Sequence, residues 1–134
     1  MIFFDTSFLA AIELENDEKH EIAMNISKQI ISGRYGSTYI SDYVFDELIS
    51  FLLGRTKDIQ KVVKIGHSVK TSAKILRVSE AAFERAWAIF KNQKDTRLSF
   101  TDCTNITIME ENGINDIATF DREFQKIKGI NVVT

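Results

Sequence analysis

Five short β-rich stretches recur along the chain, "IFF" from residue 2, "STYI", "AKILRV", "DIATF" and "INVVT", each separated from the next by residues with helical spacing or by a polar connection. Strands divided by helices cannot close as hairpins. The pattern therefore constrains the chain to an α/β sandwich around a central parallel sheet of short strands flanked by helices. Proline is absent and glycine sparse, so nothing marks a linker, and the expectation is one domain over 1–134.

The helical stretches are read from apolar spacing and caps. Phe8, Leu9 and Ile12 suit a first helix from near Thr6. A second runs from about Asp17 to Ile31 and is closed by Gly33. Ser41 or Asp42 caps a third through Leu53, with Gly54 marking its end and Val44, Leu48, Phe51 and Leu52 facing inward. A fourth runs from Thr56 to about Gly66. Ser79 opens a fifth with Phe83, Ala86, Trp87 and Phe90 on its apolar face, so Trp87 is expected in the core. Residues 91–98 form a polar loop, and a sixth helix runs from near Thr101 to Gly113.

The chain has 134 residues, 44% hydrophobic and 27% charged, which suits a packed core rather than disorder. No apolar run reaches the ~18 residues of a membrane span, and the opening segment lacks a basic flank, so neither a membrane helix nor a signal peptide is expected. The single cysteine, Cys103, cannot form an internal disulfide and has too few companions for zinc, which points to a cytoplasmic protein and a small buried thiol.

The net charge of −2 is unevenly spread. Asp5, Glu13, Glu15, Asp17 and Glu18 face only Lys19 in the first 20 residues. Between Arg55 and Arg77, Lys57, Lys61, Lys64, Lys70 and Lys74 face only Asp58. Such a basic stretch can steer a phosphate backbone even in a mildly acidic protein, although a solvated helix face explains each lysine equally well.

Four acids carry the functional argument. Ligands of open α/β sheets bind outside the carboxyl ends of the strands, and Asp5 ends the first strand while Asp121 follows "IATF". Asp102 lies in the first turn of its helix. Glu47 lies beside the apolar stripe of the third. Asp5 and Asp102 can also serve helix N-terminal amides, and Ser7 can cap the first helix. A mid-helix Glu47 cannot cap, but it can pair with a basic residue. Gathered carboxylates repel one another unless protons or cations compensate, and a hard divalent ion suits them.

Together these segments resemble the PIN domain, a family of small metal-dependent ribonucleases, and within it the VapC-like toxins of toxin–antitoxin pairs. The resemblance rests on "FFDTSFL" at Asp5, "ISDYVFDELISFLL" at Glu47, "RLSFTDCTNI" at Asp102 and "IATFDREF" at Asp121, and spans Met1 to about Val133. It implies a PIN-like three-layer sandwich and a site in which Asp5, Glu47, Asp102 and Asp121 are both catalytic residues and ligands of Mg2+ or Mn2+. Substrate contacts are expected from Ser7, Lys57, Lys61 and Lys64. The resemblance also implies RNA as the substrate, a small antitoxin as the partner, and a homodimer paired through the early helices.

"NDEKHEIA" resembles a further family segment through His20, which suits substrate, fold or surface alike. Asp46, rotated about 100° from Glu47, and Asp116 are weaker ligands, and Asp42 reads as a cap. Thr101 and Thr119 read as local hydrogen-bonding groups. Tyr39, Tyr43 and Trp87 are the residues able to stack on bases. A PIN nuclease of RNA processing or repair, and a non-catalytic RNA- or protein-binding module of the same fold, are the alternative functions.

Overall fold

The computed structural model describes residues 1–134. Its elements run β1 (Ile2–Phe4), α1 (Thr6–Glu13), α2 (His20–Ile31), β2 (Thr38–Ser41), α3 (Asp42–Thr56), α4 (Ile59–Ser72), β3 (Lys74–Leu76), α5 (Glu80–Lys91), α6 (Phe100–Glu111), β4 (Asp116–Ala118), a 3-10 turn (Arg122–Lys126) and β5 (Asn131–Val133). The five strands form one parallel sheet ordered β3-β2-β1-β4-β5. This is the three-layer α/β sandwich the sequence implied.

The strand order follows from the connections. From β1 the chain steps outward to β2 and β3, then returns past β1 to place β4 and β5 on its other side. Right-handed crossovers in opposite directions put their helices on opposite faces of the sheet. Thus α1 packs against α2 and α3, and α3 against α4, while α5 lies along α6. The direction reverses between β1 and β4. Their registered pairs, Ile2 with Asp116 through Phe4 with Ala118, carry Asp5 and Thr119 to one sheet edge, and the Asp5 amide donates to the Ala118 carbonyl at 3.1 Å.

The centre of the sheet is fully apolar. Ile2, Phe3, Ile40 and Ile117 are completely buried, with Phe8, Val44, Leu48, Met109 and Phe124 packed over them. Truncating Phe3 to alanine would cost about 3–5 kcal/mol, because β1 has neighbours on both edges and both faces. Helix α6 is buried from Asp102 through Met109, including Thr104, Asn105 and Thr107. Buried polar groups need partners, and these three make polar contacts within α6 or across to its neighbours.

Several boundaries differ from the sequence reading. Gly54 does not end α3, which continues to Thr56 and stops where Lys57 adopts a left-handed φ of 53°. Gly66 does not end α4, which runs to Ser72. A Cβ at Gly66 would lie 3.3 Å from Ile49 Cδ1, so the glycine permits close approach of α3 and α4 rather than a stop. Ser41 is the α3 cap, accepting from the Val44 amide at 3.0 Å; Asp42 instead accepts from the Val78 amide, tying α3 to the segment after β3. Trp87 is 47% exposed, because Ala82 and Ala86 form the buried face of α5. Cys103 is buried, as expected.

Candidate active site

Asp5, Glu47, Asp102 and Asp121 line one open cleft of about 390 Å³, together with Thr6, Ser7, Ala10, Phe51 and Ser99. Each acid reaches it from a different element: the end of β1, the middle of α3, the start of α6 and the turn after β4. The cleft lies at the carboxyl edge of the sheet, beside the β1–β4 reversal, where doubly wound sheets take their ligands.

Asp5 is 4% exposed and sits at the N-cap position of α1, yet its side chain does not cap the helix. The carboxylate is held from three sides instead. Ser7 Oγ and Thr119 Oγ1 each donate to Oδ2 at 2.8 Å, and Asn105 Nδ2 approaches Oδ1 at 3.4 Å. Ser7 also accepts from the Phe120 amide at 3.0 Å, so its hydroxyl serves the inner frame of the site. Asn105 carried no sequence signal beyond being a polar residue one turn after Asp102. Only its complete burial beside Asp5 marks it.

Asp102 is both a cap and a cleft acid. Its Oδ2 accepts from the Ser99 amide at 2.8 Å and Ser99 Oγ accepts from the Asp102 amide at 3.1 Å, a capping box that fixes the first turn of α6. Asp121 similarly starts the 3-10 turn by accepting from the Glu123 amide at 2.9 Å, while its own amide donates to Thr119 Oγ1. Glu47 is exposed. None of the four acids enters an ion pair; the structure's ion pairs join Arg77 to Asp42, Arg85 to Glu110 and Glu111, and Lys126 to Glu123.

The acids carry the electrostatic cost of this arrangement. Burial pushes the Asp5 carboxyl above its ordinary range; the Thr119 and Ser7 hydroxyls oppose that shift and the charge of Glu47 adds to it. Burial, with the charges of Asp5 and Asp121, lifts Asp102 to about 6 against the pull of the Ser99 hydrogen bonds. Burial, with the neighbouring Asp102 charge, pushes the Cys103 thiol up to about 11, so it remains protonated at neutral pH and is a packing group.

A divalent cation fits this donor set. Buried carboxylates without a cationic partner favour a hard ion, and Thr6 Oγ1, buried on the cleft wall, has no hydrogen-bond partner. No three His, Cys, Asp or Glu side chains close tightly enough to enclose a metal by themselves. The open cleft leaves room for water and phosphate oxygens to complete the shell of a hard divalent ion.

The remaining sequence candidates lie elsewhere. Lys57, Lys61 and Lys64 do not line this cleft. Lys61 lies in a neighbouring depression with Glu13, Asp17, Arg55 and Asp58, and Lys57 ends α3. His20 Nδ1 lies 2.7 Å from the Ala11 carbonyl and joins α2 to α1. Asp116 is engaged by Asn131 Nδ2 at 3.0 Å.

Comparison with known proteins bears on the family and the fold. The sequence matches the PIN domain family over residues 2–130. It is 27% identical over 124 residues, covering 92% of each chain, to the 23S rRNA-specific endonuclease VapC20 of Mycobacterium tuberculosis. The crystal structure of that sarcin–ricin-loop-cleaving toxin superimposes with a TM-score of 0.81 and 25% identity over 94% of each chain. A toxin–antitoxin complex from Klebsiella pneumoniae matches in fold over 100% of this chain and 97% of its counterpart, at 18% identity and a TM-score of 0.67. VapBC2 of Rickettsia felis, bound to a promoter DNA fragment, does so over 99% and 98%, at 14% identity and a TM-score of 0.72. With the family matched across nearly its whole length and the acids gathered at the sheet edge, the chain belongs to the PIN-domain family of ribonucleases and resembles its VapC-like toxins.

Proposed function

We propose that the chain is the endoribonuclease toxin of a toxin–antitoxin pair and that Asp5, Glu47, Asp102 and Asp121 form its metal-dependent catalytic site. The observation that carries this reading is the convergence of four unpaired carboxylates on one cleft from four distant segments. Asp5 and Asp102 would be the principal ligands of Mg2+ or Mn2+, with Glu47 and Asp121 holding its waters. The bound ion would supply an activated water and neutralise charge on the scissile phosphate.

The protein's own residues prepare that chemistry. Ser7, Thr119 and Asn105 fix the Asp5 carboxylate before substrate arrives, and the Ser99 capping box fixes Asp102. Preorganised donors of this kind avoid a reorganisation cost during reaction. Lys57, Lys61 and Lys64 act outside the cleft, as a basic surface that draws RNA towards an acidic site.

The mycobacterial relative acts on 23S rRNA, which makes structured ribosomal RNA the first substrate to test. A small antitoxin that covers the cleft is the protein partner. Met24 and Ile31, two turns apart on one side of α2, have exposed apolar side chains that would serve pairing of two copies through the early helices. No helix is long and apolar enough to cross a membrane, and a cytoplasmic location suits a ribosomal substrate.

The decisive experiment is cleavage of total RNA by antitoxin-free protein in magnesium, manganese or chelator, with Asp5→Asn in parallel. Discrete fragments that require both the metal and Asp5 are expected. Equal cleavage by Asp5→Asn, or in chelator, would overturn the site assignment.

A further inference from the structure

Three consecutive amides lead into the helix that carries Asp102, and none of them is satisfied by the backbone. The chain between α5 and α6 has no regular structure, and no amide of residues 94–99 donates to a main-chain carbonyl. Side chains take the last three instead. The Arg97 amide donates to Glu123 Oε2 at 2.8 Å, the Leu98 amide to Gln93 Oε1 at 2.7 Å and the Ser99 amide to Asp102 Oδ2 at 2.8 Å. Amides in an irregular segment must find such partners or water, so these three side chains fix the path by which the chain enters α6.

Gln93 and Asp102 belong to the same stretch of chain, whereas Glu123 comes from 26 residues beyond Arg97. Its own amide donates to Asp121 Oδ1 at 2.9 Å. The two cleft carboxylates are therefore joined through it: Asp121 accepts from the Glu123 amide, Glu123 accepts from the Arg97 amide, and two residues later the Ser99 amide donates to Asp102. Lys126 Nζ donates to the other Glu123 oxygen at 2.8 Å and to the Asp95 carbonyl at 3.2 Å, so the 3-10 turn grips the loop at two points. Glu123 does not line the acidic cleft; it faces a separate depression with Lys94, Asp95, Thr96, Arg97 and Lys126. With both oxygens engaged there, it orients other groups rather than binding an ion. Resting on the metal-nuclease reading, we propose that Glu123 is a positioning residue that locks the segment entering α6 to the turn after β4, so that Asp102 and Asp121 present their carboxylates to the ion in one fixed frame.

Three variants of the full chain separate this role from its rivals. Glu123→Ala removes the acceptor. Glu123→Gln keeps an oxygen for the Arg97 amide and loses only the charge. Glu123→Asp keeps the charge but falls one methylene short of the amide. Amide hydrogen exchange in chelator is followed by NMR, and Mn2+ affinity by calorimetric titration. In Glu123→Ala and Glu123→Asp the Ser99 amide, whose own acceptor is untouched, should exchange several-fold faster, and Mn2+ affinity should fall about 10–100-fold, as it does when partners outside the ligand set are lost. Glu123→Gln should stay close to the parent in both.

Unchanged Ser99 exchange and Mn2+ affinity in Glu123→Ala and Glu123→Asp would overturn the proposal. So would the opposite ranking, with Glu123→Asp intact and Glu123→Gln impaired, because the charge rather than the hydrogen bond would then be what the site requires. Cleavage is measured separately. Mn2+ binding without cleavage by the parent, with the variants ranked as expected, overturns the nuclease reading and leaves Glu123 as the positioning residue of a metal site. Metal-dependent cleavage by the parent, with all three variants at parental affinity, overturns the positioning role alone. Absence of Mn2+ binding by the parent overturns both.

Discussion

Ser7 and Thr119, separated by 112 residues, place their hydroxyl oxygens 3.2 Å apart and both donate to the same oxygen of Asp5. One lies in α1 and the other just after β4, so the two ends of the fold meet at the carboxylate that closes β1. Replacing Thr119 by valine keeps the shape, removes a donor from a buried carboxylate, and frees the Asp121 amide. Such a loss should destabilise the protein by about 1–3 kcal/mol and lower cleavage. Denaturant titration and single-turnover cleavage check the two effects separately.

Asp102→Asn retains an oxygen able to accept from the Ser99 amide while removing the charge. Cleavage should fall by at least about 100-fold, whereas the melting temperature in chelator should hold or rise, because an uncompensated buried charge has gone. The stabilisation that magnesium gives the parent chain should disappear. A variant that loses its fold along with activity would place Asp102 as a cap alone.

The metal-free protein should become less stable as pH rises through the acidic range. Asp102 titrates at about 6 in the folded chain against an ordinary 3.8, so between these values the folded state holds the extra proton. Its contribution is fully favourable below about pH 4, is lost as pH climbs to about 6, and is constant above. Asp5, raised in the same direction by its burial, adds a loss of the same sign. Thermal melts in chelator across this range should show the slope, and Asp102→Asn should flatten it. Added magnesium at neutral pH should restore stability.

Asn105 supports Asp5 from α6 and its Oδ1 lies 3.5 Å from Ser41 Oγ, the α3 cap. Asn105→Ala should therefore weaken metal affinity about 10–100-fold. Its metal-dependent activity should recover at high magnesium. Calorimetric metal titration distinguishes this from a general loss of packing, which saturation would not repair.

Reversing Lys61 and Lys64 should slow RNA association and reduce its salt dependence while leaving turnover at saturating RNA unchanged. Stopped-flow association at several salt concentrations, beside multiple-turnover cleavage, tests this. A large fall in turnover would bring these lysines into contact with the reacting strand.

The alternation of strands and helices, the Ser79 cap and the placement of Asp5 and Asp121 after strands were legible because each depends on residues near in sequence. Two of the four glycine stops were misread, whereas Gly33 and Gly113, both at positive φ, follow the ends of α2 and α6 as expected. Gly54 and Gly66 have helical neighbours on both sides, and the reason for Gly66 is the approach of Ile49 from α3. Trp87 was misread because period alone cannot tell which aromatic stripe is covered; α5 buries its alanines and leaves the rings outside.

The sequence by itself determined the α/β class, the short buried strands and the four acids with their family pattern, since local spacing and side-chain chemistry carry those. The tertiary structure decided the strand order, the shared cleft and the burial that shifts Asp5 and Asp102. It also decided the frame around Asp5, because Ser7, Asn105 and Thr119 meet there only after the chain has crossed the sheet in both directions. Proximity between distant residues is a property of packing, and no local pattern encodes it.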